Sequence, residues 1–170
     1  MPTYNKAIRR GKTYSKVMYN GKSYRNVIFE EGSTPPTAPK YRYIRDFLSG
    51  STANPGNHWV EIMAFSAGQN VAFNKAVTGE KPINAQLTDG DPNTYDYYEG
   101  AGNIGEFILV DLGALYEIDS VKVWHYYGDG RTYHGTKTQV SADGVNWVTV
   151  FDSAISGGYS ETPQGHEITL

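Results

Sequence analysis

Apolar and polar residues alternate with a period of two in several short stretches of this chain. In the clearest of them, residues 118–125, Val121, Val123 and His125 share one face and Trp124 lies on the other, which is typical of a half-buried β-strand. The same pattern predicts five more strands, at Asn70–Phe73, Phe107–Asp111, Thr136–Ser141, Val148–Phe151 and Glu167–Leu170. No helical period extends over more than about one turn. The pattern therefore predicts an all-β fold.

The first 30 residues repeat with a period of ten. Each unit reads Ser/Thr-Tyr-x-Lys/Asn followed by two apolar residues, and Arg10-Gly11 and Asn20-Gly21 stand between the units. Asn-Gly is a strong hairpin signal because both residues accept positive φ. The repeat predicts a three-stranded meander, which is too small to form a stable core alone. It therefore either packs on its own domain or serves as a docking and self-assembly element.

A proline-rich segment, residues 31–39, follows the repeat. Prolines favour extended polyproline II structure and leave little apolar area to bury, so this segment is predicted to be a linker. We therefore divide the chain into a repeat (1–30), a linker (31–39) and a main domain (40–170). The separation favours the docking interpretation of the repeat, which predicts a homo-oligomer or a multicopy assembly.

Composition and charge exclude several classes of protein. The chain has no cysteine, which excludes disulfides and thiol catalysis. No apolar run is long enough for a membrane span, and the polar, basic start does not indicate a signal peptide. Residues 1–30 carry a net charge of +6 and the remainder −9. Because the basic charges are spread along predicted strands, we do not expect nucleic-acid binding.

Catalytic motifs are missing from the sequence. It contains no nucleophile elbow, zinc-protease motif, phosphate-binding loop or dinucleotide fingerprint. Its carboxylates fall mostly at turns and strand ends, and no nucleophile and base can be paired. We therefore predict that the protein is not an enzyme.

Four sequence islands follow one another between Asn84 and Trp147. They are an acidic DGD loop (84–94), FILVDLG (107–113), YEIDSVKVW (116–124) and QVSADGVNW (139–147). In this order they resemble the coagulation factor 5/8 type C family, which includes discoidin domains and galactose-binding-like carbohydrate modules. The resemblance implies that residues 40–170 form a single discoidin-like jelly-roll β-sandwich.

The segment Tyr41–Phe65 is similar to strands that usually close the domain in this family. Here those strands come first, which suggests a circularly shifted sandwich, since the termini of sandwich domains often lie close together. The alternative is that the segment belongs to a truncated preceding repeat.

The DGD loop concentrates oxygen ligands of the kind that Ca²⁺ prefers. The resemblance implies a structural calcium ion held by Asp89, Asp91 and Thr94 of the loop and by Glu61 of the WVEI strand. The alternative is an Asx-turn without metal, in which aspartate side chains cap backbone amides.

Tyrosine-rich loops at residues 95–99 and 125–134 form the expected ligand face. Sites that hold sugars combine a stacking aromatic with fixed polar groups. The resemblance implies that His125 and Arg131 bond sugar hydroxyls. The tryptophan that usually stacks on the sugar in this family has no clear counterpart here, so Tyr97 or Tyr98 would have to provide the stacking ring. The alternatives are that His125 faces inward with its bonds satisfied, that Arg131 is a surface ion-pair partner, or that the loops bind protein.

Together these features predict a bacteriophage virion protein that displays a module for adhesion to host-surface glycans. The run YRYIR…SGST…NHWVEI resembles domains appended to phage tail and decoration proteins, and residues 1–30 would bind virion structural proteins. Such a protein is made in the host cytoplasm without a signal peptide and displayed on the virion, where many copies give avidity. The alternatives are a capsid or tail decoration or adaptor protein without glycan binding, and the accessory module of a glycoside hydrolase.

Overall fold

The chain divides into two compact units, Met1–Ala38 and Pro39–Leu170. The structure, a computed structural model, describes residues 38–83 and 86–170 in full, and the backbone of residues 17–19 and 22–24. In the first unit, β1 (Val17–Tyr19) and β2 (Lys22–Tyr24) pair antiparallel, with Met18 opposite Ser23. The other strands predicted for the repeat and the linker up to residue 37 lie outside the described residues.

The second unit is built almost entirely from strands. In chain order its elements are β3 (Tyr41–Leu48), β4 (His58–Ser66), β5 (Gln69–Asn70), β6 (Ala76–Thr78), β7 (Tyr98–Glu99), β8 (Glu106–Tyr116), β9 (Ser120–His125), β10 (Lys137–Ser141), β11 (Trp147–Asp152), the helical turn α1 (Ser153–Ser156) and β12 (His166–Thr169). One antiparallel sheet has the order β11-β10-β3-β8-β6. The other has the order β12-β9-β4-β5, with β7 paired to the start of β4. The two sheets form the β-sandwich that the sequence predicted.

The strand β3 shows how the alternating pattern builds the core. Ile44 and Leu48 are fully buried, together with Asp46 between them. Arg45 and Phe47 point to the opposite face and are half-buried. Because successive side chains of a strand point to opposite faces, the inward set packs against the second sheet.

The strand β4 carries residues of the candidate site, and the chain around it is irregular. A β-bulge between Trp59 and Glu61 shifts its register against β9, and such bulges re-aim neighbouring side chains. On the other edge of β4, the carbonyl of Leu87 accepts a hydrogen bond from Ile62 N at 2.8 Å. This bond brings the acidic loop that follows Leu87 against β4.

The predicted faces of residues 118–125 are confirmed, since Val121, Val123 and His125 are fully buried. Trp124, predicted on the opposite face, is also buried, and its indole Nε1 donates to the carbonyl of Pro163 at 3.0 Å. The only helix in the fully described part of the chain is the four-residue α1, and no helix there is long and apolar enough to cross a membrane.

The strand predicted at 70–73 was wrong beyond its first residue. The chain turns after Asn70, because the Asn70 side-chain oxygen accepts bonds from the backbone amides of Ala64 (3.2 Å) and Ala72 (3.1 Å). A side chain that bonds locally in this way competes with the strand ladder.

Candidate functional site

Three segments of chain meet at the end of the sandwich where β4 begins: 49–57, 92–102 and 126–136. Backbone hydrogen bonds join them to β4 and to one another, from Tyr126 N to His58 O (3.1 Å), from Gly100 N to Asn57 O (2.8 Å) and from Thr52 N to Thr132 O (2.9 Å). Loops held by rigid strands in this manner are where binding residues are usually found.

His58, the first residue of β4, lies at the centre of this region and is 8% exposed. Its Nδ1 lies 3.3 Å from Nη1 of Arg131 and 3.2 Å from the hydroxyl of Tyr133. Since an arginine can only donate, Nδ1 must accept this bond, and the proton of the neutral ring is on Nε2. Burial lowers the pKa of His58, which outweighs the opposite effect of Glu99, 3.6 Å from Nε2.

Two tyrosines pack edge-on against His58. The Tyr97 ring lies 5.0 Å from the His58 ring and 5.5 Å from the Tyr126 ring, centroid to centroid. Tyr126 completes the cluster at 6.1 Å from His58. Because Tyr97 is 37% exposed, part of its ring faces solvent while its orientation is fixed by its neighbours.

Arg131 is held in place from three sides. Its Nε and Nη2 donate to the two carboxylate oxygens of Asp129 at 2.8 and 2.7 Å, a bidentate geometry that fixes the guanidinium plane. The hydrogen bond to Asp129 raises the pKa of Arg131. The guanidinium also lies over the Tyr126 ring, 4.7 Å from its centroid, where a cation–π contact adds to the attraction. We call Tyr97, Tyr126, His58 and Arg131 the platform.

Tyr98, the alternative stacking ring, is part of the core and not of this surface. It is 4% exposed, and its ring stacks on Trp59 at 5.9 Å. The Tyr98 hydroxyl forms two hydrogen bonds with the backbone of Lys81. It accepts from the amide at 3.0 Å and donates to the carbonyl at 3.3 Å. The difference follows the strand boundary, since Tyr98 is the first residue of β7 and pairs with Trp59, whereas Tyr97 precedes the strand.

His125 is also buried, which corrects its expected place on the ligand face. It is fully enclosed between two carboxylates, with Nε2 at 2.8 Å from Asp46 and Nδ1 at 2.7 Å from Glu161. Although burial opposes the charge, the two carboxylates raise the pKa of His125 to about 10. Asp46 also accepts bonds from Trp59 Nε1 (3.0 Å) and Thr138 Oγ1 (2.7 Å). His125 therefore links the two sheets, as the inward-facing alternative described.

Of the four platform residues, Tyr97 and Arg131 were predicted from the sequence as ligand-binding. His58 and Tyr126 were not, nor was Glu99, which lies 3.6 Å from His58 Nε2. A signal for His58 was available, because it opens the strand WVEIMAF directly after a loop rich in Gly, Pro and Asn. A polar residue at such a junction reaches the end of a sandwich where loops gather. Nothing in the sequence pointed to its contact with Arg131, which is 73 residues away.

Of the predicted calcium ligands, Glu61 contacts the acidic loop that carries Asp89, Asp91 and Thr94. Glu61 is fully buried, and its Oε1 accepts from Gly90 N at 3.0 Å. Its Oε2 and the hydroxyl of Thr94 are buried with no hydrogen-bond partner. Burial raises the pKa of Glu61 to about 8, and the nearby charges of Asp89 and Asp91 add to this rise.

Unpartnered buried oxygens beside carboxylates fit a hard cation, which takes six to eight oxygen ligands. In residues 38–83 and 86–170, however, no three Asp, Glu or His side chains are grouped closely enough to hold a metal alone. Backbone carbonyls would have to complete the shell. Asp89 Oδ1 accepts from Asp91 N at 2.9 Å, which is the Asx-turn of the alternative interpretation. The calcium site stays a prediction that the orphaned oxygens support.

Comparison with known families places this arrangement in context. Residues 86–168, which include Tyr97, Tyr126 and Arg131, match the F5/F8 type C model described as the NedA-like, galactose-binding domain. Neither a curated protein nor a solved structure matches the chain.

Proposed function

We propose that the protein is a carbohydrate-binding module that attaches to surface glycans, because residues 86–168 match the model of the F5/F8 type C, NedA-like, galactose-binding domain. The family is one of binding modules without catalytic activity, and the sandwich has the corresponding fold. We propose that this protein likewise has no catalytic activity and acts by adhesion.

The observation that carries the proposal is the half-exposed Tyr97 ring, fixed edge-on against His58 and Tyr126. Sugar rings present apolar C–H faces that stack on aromatic side chains, and their hydroxyls need fixed polar partners. Tyr97 supplies the stacking surface. Arg131 and His58 hold donors beside it, and their mutual contacts keep these donors oriented before the ligand arrives.

Tyr98 and His125 take supporting roles in this proposal. Tyr98, the chain neighbour of the platform residue Tyr97, stacks on Trp59, and the His125 ring packs 5.3 Å from the Tyr133 ring. Since Tyr133 contacts His58, both buried residues orient the platform and do not touch the ligand.

A glycan array probed with the full chain, displayed in many copies on a bead, tests the proposal. We expect binding to galactose-terminated glycans, weak per site and roughly millimolar to tens of micromolar, because a monosaccharide offers few buried atoms. Multicopy display compensates for weak sites. A blank array for the wild-type protein would overturn the proposal.

We further propose that a calcium ion supports this domain. Glu61, Asp89, Asp91 and Thr94 would hold it, with backbone carbonyls of the loop. Its positive charge would stabilise the ionised form of Glu61, which burial otherwise disfavours. The ion would have a structural role, pinning the acidic loop to β4.

We further propose that this is a bacteriophage virion protein and that it uses the module to adhere to host-surface glycans. This proposal is supported by the N-terminal repeat, which suits docking on other virion proteins, and by the run from Tyr41 to Phe65. Reconstruction of purified particles that carry the protein would show whether residues 1–30 contact a virion component and whether the platform faces outward.

One observation favours a second function, that of a decoration or adaptor protein. The outer face of the β3 sheet carries Arg45 packed over the Trp147 ring at 3.9 Å and near the half-exposed Phe107 at 5.7 Å. Arginine and aromatic side chains are enriched in protein interfaces. If the array stays blank and Arg45→Ala abolishes attachment to particles, this second function replaces the first.

A further inference from the structure

A cavity of about 400 Å³ lies beside the platform and shares His58 with it. Its walls are formed by the segments 54–56 and 99–102, together with Lys81. Tyr97, Tyr126 and Arg131 are not among its lining residues. The cavity therefore adjoins the platform at His58 but is otherwise lined by different residues. Its volume is in the range of small-molecule sites.

Gly56 keeps this space open. A Cβ atom at this position would lie 2.8 Å from Cε1 and 3.0 Å from Nε2 of His58, closer than non-bonded atoms approach. The absence of a side chain at Gly56 leaves the Nε2 edge of His58 accessible from the cavity. Since the proton of His58 is on Nε2, the cavity contains a fixed donor there.

Two charged side chains line the cavity, Lys81 and Glu99, and their charges sum to zero. The Lys81 ammonium is engaged by the carbonyl of Gly100 at 2.7 Å, and Arg131 is engaged by Asp129. The Lys81 and Glu99 side chains are both exposed, and that of Glu99 is 64% accessible. A hydroxyl group can donate to the Glu99 carboxylate, whereas a cavity without net charge offers no net attraction to a carboxylate or sulfate on a ligand.

From these observations we infer that the cavity is a second sugar subsite, and that the ligand is an uncharged oligosaccharide of at least two residues. One residue would stack on Tyr97, and the next would enter between segments 54–56 and 99–102, with hydroxyls bonded to His58 Nε2 and Glu99. This inference rests on the proposed glycan-binding function and specifies its ligand.

NMR titrations test the inference. The full chain is titrated separately with methyl β-galactoside, with β-1,4-galactobiose and with digalacturonate. We expect galactobiose to bind on the order of tenfold more tightly than the monosaccharide, a gain of about 1.4 kcal/mol. Digalacturonate should bind at least tenfold more weakly than galactobiose.

Ala101 is an exposed residue of the cavity wall, and Ala101→Leu adds side-chain volume to the cavity without replacing a platform residue. It should reduce galactobiose affinity to that of the monosaccharide and leave methyl β-galactoside unaffected. Ala154→Leu, at an exposed position of α1 outside the platform and the cavity lining, is the matched control and should change neither affinity. Thermal melting verifies that each variant is folded.

The outcomes separate the two proposals. Equal affinity for mono- and disaccharide, unchanged in Ala101→Leu, would overturn the second subsite while the platform function stands. Tighter binding of digalacturonate would overturn the assignment of an uncharged ligand. No binding of any galactoside here or on the array would overturn the proposed function, and this inference with it.

Discussion

Nη1 of Arg131 donates a hydrogen bond to Nδ1 of His58 at 3.3 Å. This contact joins the loop that carries Arg131 to the first residue of β4. It also places the proton of the neutral His58 ring on Nε2, so the platform presents an N–H donor to a ligand at this atom. The contact requires a neutral His58, because two cations at this distance repel each other.

We predict that ligand binding weakens in acid because of this contact. The pKa of His58 is lowered from its ordinary value of 6.5, so in the folded protein the ring is neutral at pH 7 and becomes protonated only below 6.5. As pH decreases, the unfolded chain takes up this proton at a higher pH than the folded protein does. The free energy of unfolding therefore also falls below about pH 6.5. Galactoside affinity should therefore be constant from about pH 8 to 6.5 and decrease below it.

Titrations across this pH range at fixed ionic strength measure the effect. His58→Gln should bind more weakly and lose the acid-dependent decrease, whereas the exposed His134→Gln should keep it. An identical decrease in His58→Gln would show that another group is responsible.

Tyr97→Ala should weaken glycan binding by about tenfold or more, because aromatic anchors contribute most to such contacts. Tyr95 provides a matched control: it is 85% exposed and lies outside the platform, so Tyr95→Ala should bind as the wild type does. Affinity and melting temperature of both variants are compared. Equal losses in the two variants would contradict the role of Tyr97.

Removal of calcium should lower the melting temperature. A ligand that binds only the folded state stabilises it by about 2.7 kcal/mol at a hundredfold excess over its Kd. Asp91→Ala and Glu61→Gln should abolish the calcium effect, while Asp96→Ala should retain it. Equal melting with calcium and with chelator, in protein first verified as metal-free, would contradict the site.

Calcium should also change the dependence of stability on pH. Without metal, burial raises the pKa of Glu61 to about 8 from 4.5, so the folded state holds a proton that the unfolded state releases. Stability should then decrease as pH rises from about 4.5 to 8. With calcium bound, Glu61 is ionised and this decrease should vanish. Denaturant unfolding at several pH values, with and without calcium, measures the difference.

His125→Asn should destabilise the fold by about 3 kcal/mol, because it leaves two buried carboxylates without their partner. The pKa of His125 is raised to about 10, so its stabilising effect is fully present below 6.5 and is lost as pH rises towards 10. The difference in unfolding free energy between wild type and variant should therefore decrease as pH rises from 6.5 towards 10. A stable variant that simply fails to bind sugar would instead restore His125 to the ligand face.

Deletion of residues 1–36 should leave a folded monomer that no longer joins its partner or oligomer. The buried core residues of the described chain all lie between Ile44 and Ile168, within the unit Pro39–Leu170. Light scattering and thermal melting of the truncated and full chains measure assembly and folding. Unfolding of the truncated protein would show that the repeat packs on the sandwich.

The sequence by itself determined the fold class, because a period of two reflects the geometry of a strand and needs no knowledge of its partners. It therefore predicted that Val121, Val123 and His125 share one face. It also located Tyr97 and Arg131 in loops, since turn-forming residues mark where strands end.

Only the tertiary structure decided which polar residues reach the surface. His125 and His58 are both histidines at strand ends, yet one is enclosed by Asp46 and Glu161 and the other lines an open site. The difference depends on contacts between residues 36 to 79 positions apart, which no local pattern records. Side-chain periodicity specifies the face of a strand, whereas the packing of distant segments determines whether that face is covered.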